Sequence, residues 1–283
     1  MNVKRILLLV AAGCGAIALG LQQQPQKYVL INDNTGGFKV FDVESALTSF
    51  APGGDVEFEA SGRPVRGFSK EQGLTFSANK LEGIAARTGQ GSFRLKEAKA
   101  SGGVVIDVHS EDSEGTSDSH LESASVTMKE DADSTNFTFP SAFVFANRAV
   151  TPEVNRFFEL RAPSGTFEMP LLDRASGQKI PFKNANVPGP VNIVINRVKK
   201  QADGEYREDL ILRADRLTFD GATRTLKLEG NIVYTIVTKP ITGRGLNTTF
   251  TSTMISIPFL ENGDIGIIEF GIGSATVTQG GGQ

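Results

Sequence analysis

The chain has 283 residues, of which 39% are hydrophobic, enough to build a core and too many for a disordered protein. Its 29 basic and 32 acidic residues leave a net charge of −3, or −5 if Lys4 and Arg5 depart with a leader, which excludes bulk binding to nucleic acid. The single cysteine, Cys14, sits near the N-terminus, so no internal disulfide can hold the rest, and packing with strand pairing must.

Residues 1–21 read as an export leader. Lys4 and Arg5 form a positive start, Ile6 to Leu21 carries no charge, and the small residues Ala16, Ala18 and Gly20 precede polar Gln22 to Gln24. As a helix the apolar run spans roughly 24 Å, short of the ~30 Å hydrocarbon core. Three fates stay open: cleavage near Ala18 or Gly20, retention as an inner-membrane anchor, and lipidation at Cys14, where Val10 to Cys14 loosely resembles a lipobox. Each places the following domain on the periplasmic side of a membrane.

From residue 22 onward the pattern is that of strands. Lys27 to Ile31 is a first short strand, followed by the turn-rich Asn32 to Gly37. In Ser92 to Val108, Phe93 and Leu95 share a face. After a shift at Glu97 that face continues as Ala98, Ala100, Gly102, Val104, Ile106 and Val108. Ser110 to His120 is expected to be an acidic, polar loop. Glu153 to Leu160, bracketed by Pro152 and Pro163, is the best helical candidate, a single short turn. Asp203-Gly204 and Asp220-Gly221 are hairpin turns between apolar strands. In Thr225 to Tyr234, Leu226, Leu228, Gly230, Ile232 and Tyr234 face one way while Thr225, Lys227, Glu229 and Asn231 face the other.

A strand with one apolar face covers a core on one side only, which points to an all-β sandwich, jelly roll or open barrel and away from a parallel α/β sheet. The aromatic residues, 19 Phe against 3 Tyr and no Trp, suit a large apolar interior. No composition break divides residues 22–278, which read as one β domain divisible into two sub-repeats, with a Gly-rich tail at 279–283.

Segments of this domain resemble one another. Gly73 to Leu81 leads to Phe93-Arg94-Leu95 and Gly102, and Leu210 to Phe219 leads through Asp220-Gly221 to Leu226, Leu228, Gly230 and Ile232. Weaker copies begin at His120, Glu159 and Thr251. The small residues Ala78, Ala124, Ala162 and Ala214, 38 to 52 residues apart, are placed where each strand can bend, and Gly102 and Gly230 relieve the matching position on the return strand. The spacing is too irregular for a tight β-helix.

The stretch Leu212-Arg-Ala-Asp-Arg-Leu-Thr-Phe-Asp220, followed by Thr225-Leu-Lys-Leu-Glu-Gly-Asn-Ile-Val233, resembles the repeat of the OstA-like proteins, which include LptA and LptC of lipopolysaccharide export. Leu74 to Val104 is similar to the LptC-type variant. The resemblance spans Phe58 to Val277, with 210–234 its best-matching part. It implies an open β-jellyroll, a curved antiparallel two-sheet trough whose inner face holds acyl chains. It implies edge-to-edge partners of the same Lpt type, an inner-membrane ABC transporter and a lipopolysaccharide cargo, with no cofactor. On that implication Phe76, Phe93, Leu95, Leu217, Phe219, Leu226, Leu228 and Ile232 are the candidate lipid-binding residues. The alternative is that they form a dry core in a structural or adhesive β-repeat protein of the envelope. The first and last strands, near Lys27–Ile31 and Gly266–Thr278, are the expected open edges.

Catalytic signatures are missing from the sequence: there is no Gly-x-Ser-x-Gly, His-Glu-x-x-His or phosphate loop. His109 and His120 flank Glu111, Asp112, Glu114 and Asp118, an arrangement that suits a solvated acidic loop better than a cation site. Arg197, Lys199 and Lys200 form the one basic cluster, either a contact for an anionic headgroup or an exposed hairpin end. The reading is of a non-enzymatic protein without a metal.

Overall fold

The computed structural model describes residues 28–31, 38–50, 54–69, 73–89, 92–112, 115–152, 154–170, 183–201, 204–240, 246–258, 267 and 269–279. The predicted leader lies outside the described residues. So do residues 280–283 of the predicted tail, whereas Gln279 closes the last strand.

Among the described residues, seventeen strands form one sheet. In chain order they are β1 (Tyr28–Ile31), β2 (Phe38–Phe41), β3 (Ser45–Phe50), β4 (Val56–Ser69), β5 (Leu74–Gly89), β6 (Ser92–Asp112), β7 (Gly115–Glu130), β8 (Ser134–Phe139) and β9 (Phe143–Val150). There follow β10 (Val154–Ala162), β11 (Gly165–Pro170), β12 (Asn184–Gln201), β13 (Gly204–Asp220), β14 (Thr225–Pro240), β15 (Leu246–Pro258), β16 (Glu269–Phe270) and β17 (Gly273–Gln279). No helix occurs among the described residues.

Every pairing is antiparallel, and the ladder follows chain order. The strands do not run straight. Register breaks fall at Ser61/Val65, Ser77/Lys80, Ser101/Val104, Pro188/Val191, Arg213/Arg216 and Glu229/Ile232. Elsewhere the strand itself is interrupted, so that β2 and β3 both pair β4, and β10 and β11 both pair β12. The breaks line up across the sheet, and the sheet folds along them into a trough with two walls. The first wall holds β9, β10, residues 104–112, 115–123, 191–201, 204–213 and 232–240. The second holds β8, β11, residues 56–61, 80–89, 125–130, 184–188 and 216–220. This is an all-β open β-jellyroll.

The corner chemistry is repeated. Ala78, Ala162 and Ala214 are buried at the bends, where a larger side chain would hold the walls apart; Ala124 sits at the bend of β7 but is exposed. On the return strands Gly102 has φ +82° and Gly230 φ +96°, a left-handed conformation that disfavours any Cβ. Gly102 packs against Asn79, and Gly230 against Asp215. Asn231 donates its backbone N–H and its Nδ2 to Asp215 Oδ2, each at 2.9 Å, which ties β14 to the bulge of β13.

One apolar cluster joins both walls. Phe137, Met128 and Leu81 of the second wall meet Ile106, Leu121 and Phe145 of the first. Phe139, Phe143 and Phe167 pack across the bend, with ring centroids 4.8 Å apart for the first pair and edge-on contacts at 5.8 and 5.9 Å for the others. Such ring pairs add about 0.5–1.5 kcal/mol each beyond the area they bury.

Two local expectations are corrected. Of the helical candidate Glu153 to Leu160, Glu153 lies outside the described residues and Val154 to Leu160 is strand: β10 pairs β9 on one side and β12 on the other, and its alternating Phe158, Leu160 and Ala162 face the core, so sheet pairing overrides any helical tendency. The prolines bound a strand. Of the expected loop Ser110 to His120, the described residues are strand: β6 runs to Asp112 and β7 starts at Gly115, and Ser110 to Asp112 pair with Gly115 to Ser117. Alternation explains why it read as polar: Glu111 and Asp118 face outward, and inward positions such as Ser110 and Ser119 hold small residues buried as the walls close.

Candidate functional site

The inner face of the trough is the candidate site, and strand alternation decides which side chains reach it. Phe76, Leu217, Phe219, Leu228 and Ile232 face inward and are buried, while Leu226 is partly buried against the same cluster. Phe93 and Leu95 belong to β6, opposite Arg87 and Ala85, but their side chains lie outside the described part of the structure. The structure thus brings Phe76, Leu217, Leu228 and Ile232 together in one apolar cluster drawn from both walls, with Leu226 packed against it, while Phe219 is buried on the same face of β13 outside that cluster.

Burial is not uniform along that surface. On the first wall of β6, Val104, Ile106, Val108 and Ser110 are all buried from the corner to the strand end. On β10, β12 and β13 the inward residues open up away from the corner. Leu160, Ile193 and Leu212 are buried; Phe158, Ile195 and Leu210, one step further out, are only half-buried. Register carries the outer row on to Ile236, opposite Leu210, whereas Tyr234 and Phe250 lie in line with Leu160, Ile193 and Leu212, only partly buried and 5.8 Å apart between ring centroids, and Phe250 stacks on Phe270 of the second wall at 6.1 Å. No strand pairing joins the outer rims of the two walls among the described residues.

One step beyond the half-buried apolar row the inner wall turns polar. Register places Arg156 opposite Arg197, and Arg197 opposite Glu208. Arg197 Nε donates to a Glu208 carboxylate oxygen in a close ion pair. Burial pushes the Tyr234 phenol up, with Glu208 reinforcing the shift and Arg197 opposing it, as expected if all three share the inner face. Arg156 Nε is buried and makes no hydrogen bond, and neither does Asn147 Oδ1 on the adjoining strand. Asn147 spends its Nδ2 on Ser117 Oγ and Ser119 Oγ, both at 2.9 Å, and on the Asp118 carbonyl at 3.2 Å. The sequence drew attention to Arg197, Lys199 and Lys200. It gave no cue for Arg156, whose signal is its inward parity two residues before Phe158.

The outer faces are charged. His109 Nδ1 lies 2.6 Å from Asp118, and His120 Nδ1 2.6 Å from Asp107 with Nε2 3.1 Å from Glu122. These are cross-strand pairs on exposed sheet, and Glu114 lies outside the described residues. Hydrogen bonding to Asp118 holds His109 above the ordinary histidine range. Burial pulls His120 down, but its bonds to Asp107 and Glu122 outweigh that and leave it raised. On the second wall an outer groove of about 580 Å³ is lined by Glu57, Glu59, Glu82, Glu97 and Lys99. Lys80 bridges Glu59 at 3.1 Å and Glu82 at 2.7 Å beside it. Asp215 and Asp220, the carboxylates at a strand end, are both occupied with backbone: Asp215 at the corner, and Asp220 capping its turn through the Ala222 N–H at 2.8 Å. The turn bonds hold the Asp220 carboxyl below the usual range. No group of three or more His, Cys, Asp or Glu side chains converges as metal ligands would among the described residues.

Set against protein-family models, curated proteins and solved structures, the chain matches none of them.

Proposed function

We propose that this chain is a non-enzymatic carrier of lipid in the cell envelope, holding acyl chains in the apolar trough on their way to the outer membrane. The observation that carries the reading is the inward, half-buried row Phe158, Ile195 and Leu210, apolar surface that faces the interior yet is not sealed by the opposite wall. A dry core has no use for such a row, because each incompletely buried phenylalanine or leucine forfeits part of its transfer free energy. An acyl chain would complete the burial.

The resemblance of residues 210–234 to the OstA-like repeat supports lipopolysaccharide, or a lipid of the same build, as cargo. It also supports a periplasmic location reached through the N-terminal leader. The last strand fits an assembly of such units edge to edge: β17 carries no charge, and Val277 and Ile272 beside it are exposed. Open strand edges of this kind pair readily with another chain. An ABC transporter of the inner membrane would be the source of driving force in such a chain of carriers.

A second reading is favoured by a different observation. Phe76, Leu217, Phe219, Leu228 and Ile232 are buried without any lipid, as a structural envelope protein with a dry core would require. A photo-crosslinking residue at Ile195, with outward Ile211 as control, separates the two. Lipid adducts at Ile195 alone are expected for the carrier, and a folded protein with no adduct at either position would leave the structural reading.

A further inference from the structure

We propose that the mouth of the trough on the first wall is a headgroup site, with Arg156 reading a negatively charged, hydroxyl-bearing head. This rests on the carrier function above and narrows the cargo to anionic amphiphiles. Three observations meet there. Arg156 lies on the same face as Phe158, two residues further from the corner, so it stands directly above the half-buried apolar row. Its neighbour Arg197 is already matched by Glu208, which leaves Arg156 the unbalanced charge of that inner row. Its Nε is buried without a hydrogen bond.

Buried donors are nearly always partnered, and a guanidinium cannot shed its proton to escape the problem. The missing partner is therefore supplied from outside the chain, and it must be an acceptor, best an anion. Asn147 Oδ1 specifies the rest. It is a buried acceptor without a donor, and register sets it diagonal to Arg156, since Asn147 faces Phe158 and Arg156 faces Ala149. Diagonal cross-strand residues lie roughly 7–8 Å apart at Cα, within reach of one small group held between two side chains. A phosphate monoester, or an acidic sugar, offers an oxyanion to Arg156 and an O–H to Asn147 together. The tail of the same molecule then lies along Phe158, Ile195 and Leu210.

The test uses the full chain with dodecyl phosphate, dodecyl maltoside and inorganic phosphate, each titrated calorimetrically below any micelle concentration. Dodecyl phosphate is expected to bind about tenfold tighter than the maltoside, the scale of one charge-assisted hydrogen bond, and inorganic phosphate not measurably. Arg156→Gln should bring the two surfactants to parity through loss of dodecyl phosphate affinity, and Arg156→Lys should keep most of the preference. Thermal melts verify the fold, and the lysine variant carries the comparison if the glutamine variant melts early. Parity in the unaltered protein, or a preference that survives Arg156→Gln, overturns the headgroup assignment while leaving the carrier standing. Binding of neither surfactant overturns both. Inorganic phosphate binding as tightly as dodecyl phosphate makes this a free-anion site and overturns the lipid headgroup.

Discussion

The two halves of the trough are built from the same bent rung and finish it differently. Through β6, β7 and β9 the inward positions near the rim are Ser110, Ser119 and Asn147, all buried, with Asn147 at 1% exposure. Through β10, β12 and β13 the corresponding stretch holds Phe158, Ile195, Leu210, Arg156 and Arg197, none of them fully buried. Small residues let the walls close, and serine and asparagine hydrogen bonds seal them; large apolar residues with charges beyond them keep the walls apart. Side-chain size at the rim, with the backbone scaffold unchanged, separates a closed core from an open channel.

The strongest way to break this contrast is to truncate one inward phenylalanine in each half. Phe137→Ala should cost about 3–5 kcal/mol of stability, as for other fully buried aromatics. Phe158→Ala, half-exposed already, should cost about 1–2 kcal/mol. Urea denaturation measures both, and equal losses would erase the difference between the halves.

The corners are where the halves should behave alike. Gly102→Ala and Gly230→Ala each force a left-handed φ and a clash, with Asn79 in one and Asp215 in the other, for about 1–3 kcal/mol apiece. Gly103→Ala, at φ +83° with nothing near its added methyl, should cost only about 1 kcal/mol of backbone strain. Asp215→Ala removes the exposed tie to Asn231, worth about 1 kcal/mol; hydrogen exchange at the Asn231 amide reports it directly.

The smallest effect is a pH dependence confined to the first half. His109 and His120 are raised in the folded chain by their carboxylate partners. Their contribution is therefore full below the unfolded value of about 6.5 and is lost as pH rises through the folded values. The urea midpoint should fall slightly as pH rises from below about 6.5 through the folded values, and the double variant His109→Gln/His120→Gln should flatten it. A slope that survives in that variant would place the titrating groups elsewhere.

Much of the architecture was legible because alternation is a local signal. The inward set from Ala98 to Val108 and from Leu226 to Tyr234 appears in the fold as read, and Ala78, Ala162, Ala214, Gly102 and Gly230 all stand at bends. Two segments misled for physical reasons. Glu153 to Leu160 is short and flanked by prolines, and only pairing with β9 and β12 makes Val154 to Leu160 a strand. Ser110 to His120 carries serines at its inward positions, so its period-2 pattern has no hydrophobic contrast to reveal it. Arg156 was out of reach for a related reason: an arginine in an alternating strand is ordinarily on the outer face, and its inward direction depends on a register that only pairing fixes.

Pairing of bent rungs in chain order also governs how the molecule comes into being. Each rung lies against the one synthesised just before it, so a chain delivered N-terminus first can lay down the sheet one rung at a time, and only the halves of an interrupted rung, such as β8 with β11, are paired across an intervening strand. At every stage the newest rung is the growing edge and the next rung covers it. A strand not yet covered offers its free edge to a partner, so β17, paired on one side only among the described residues, is a surface primed to continue the same process with a second molecule.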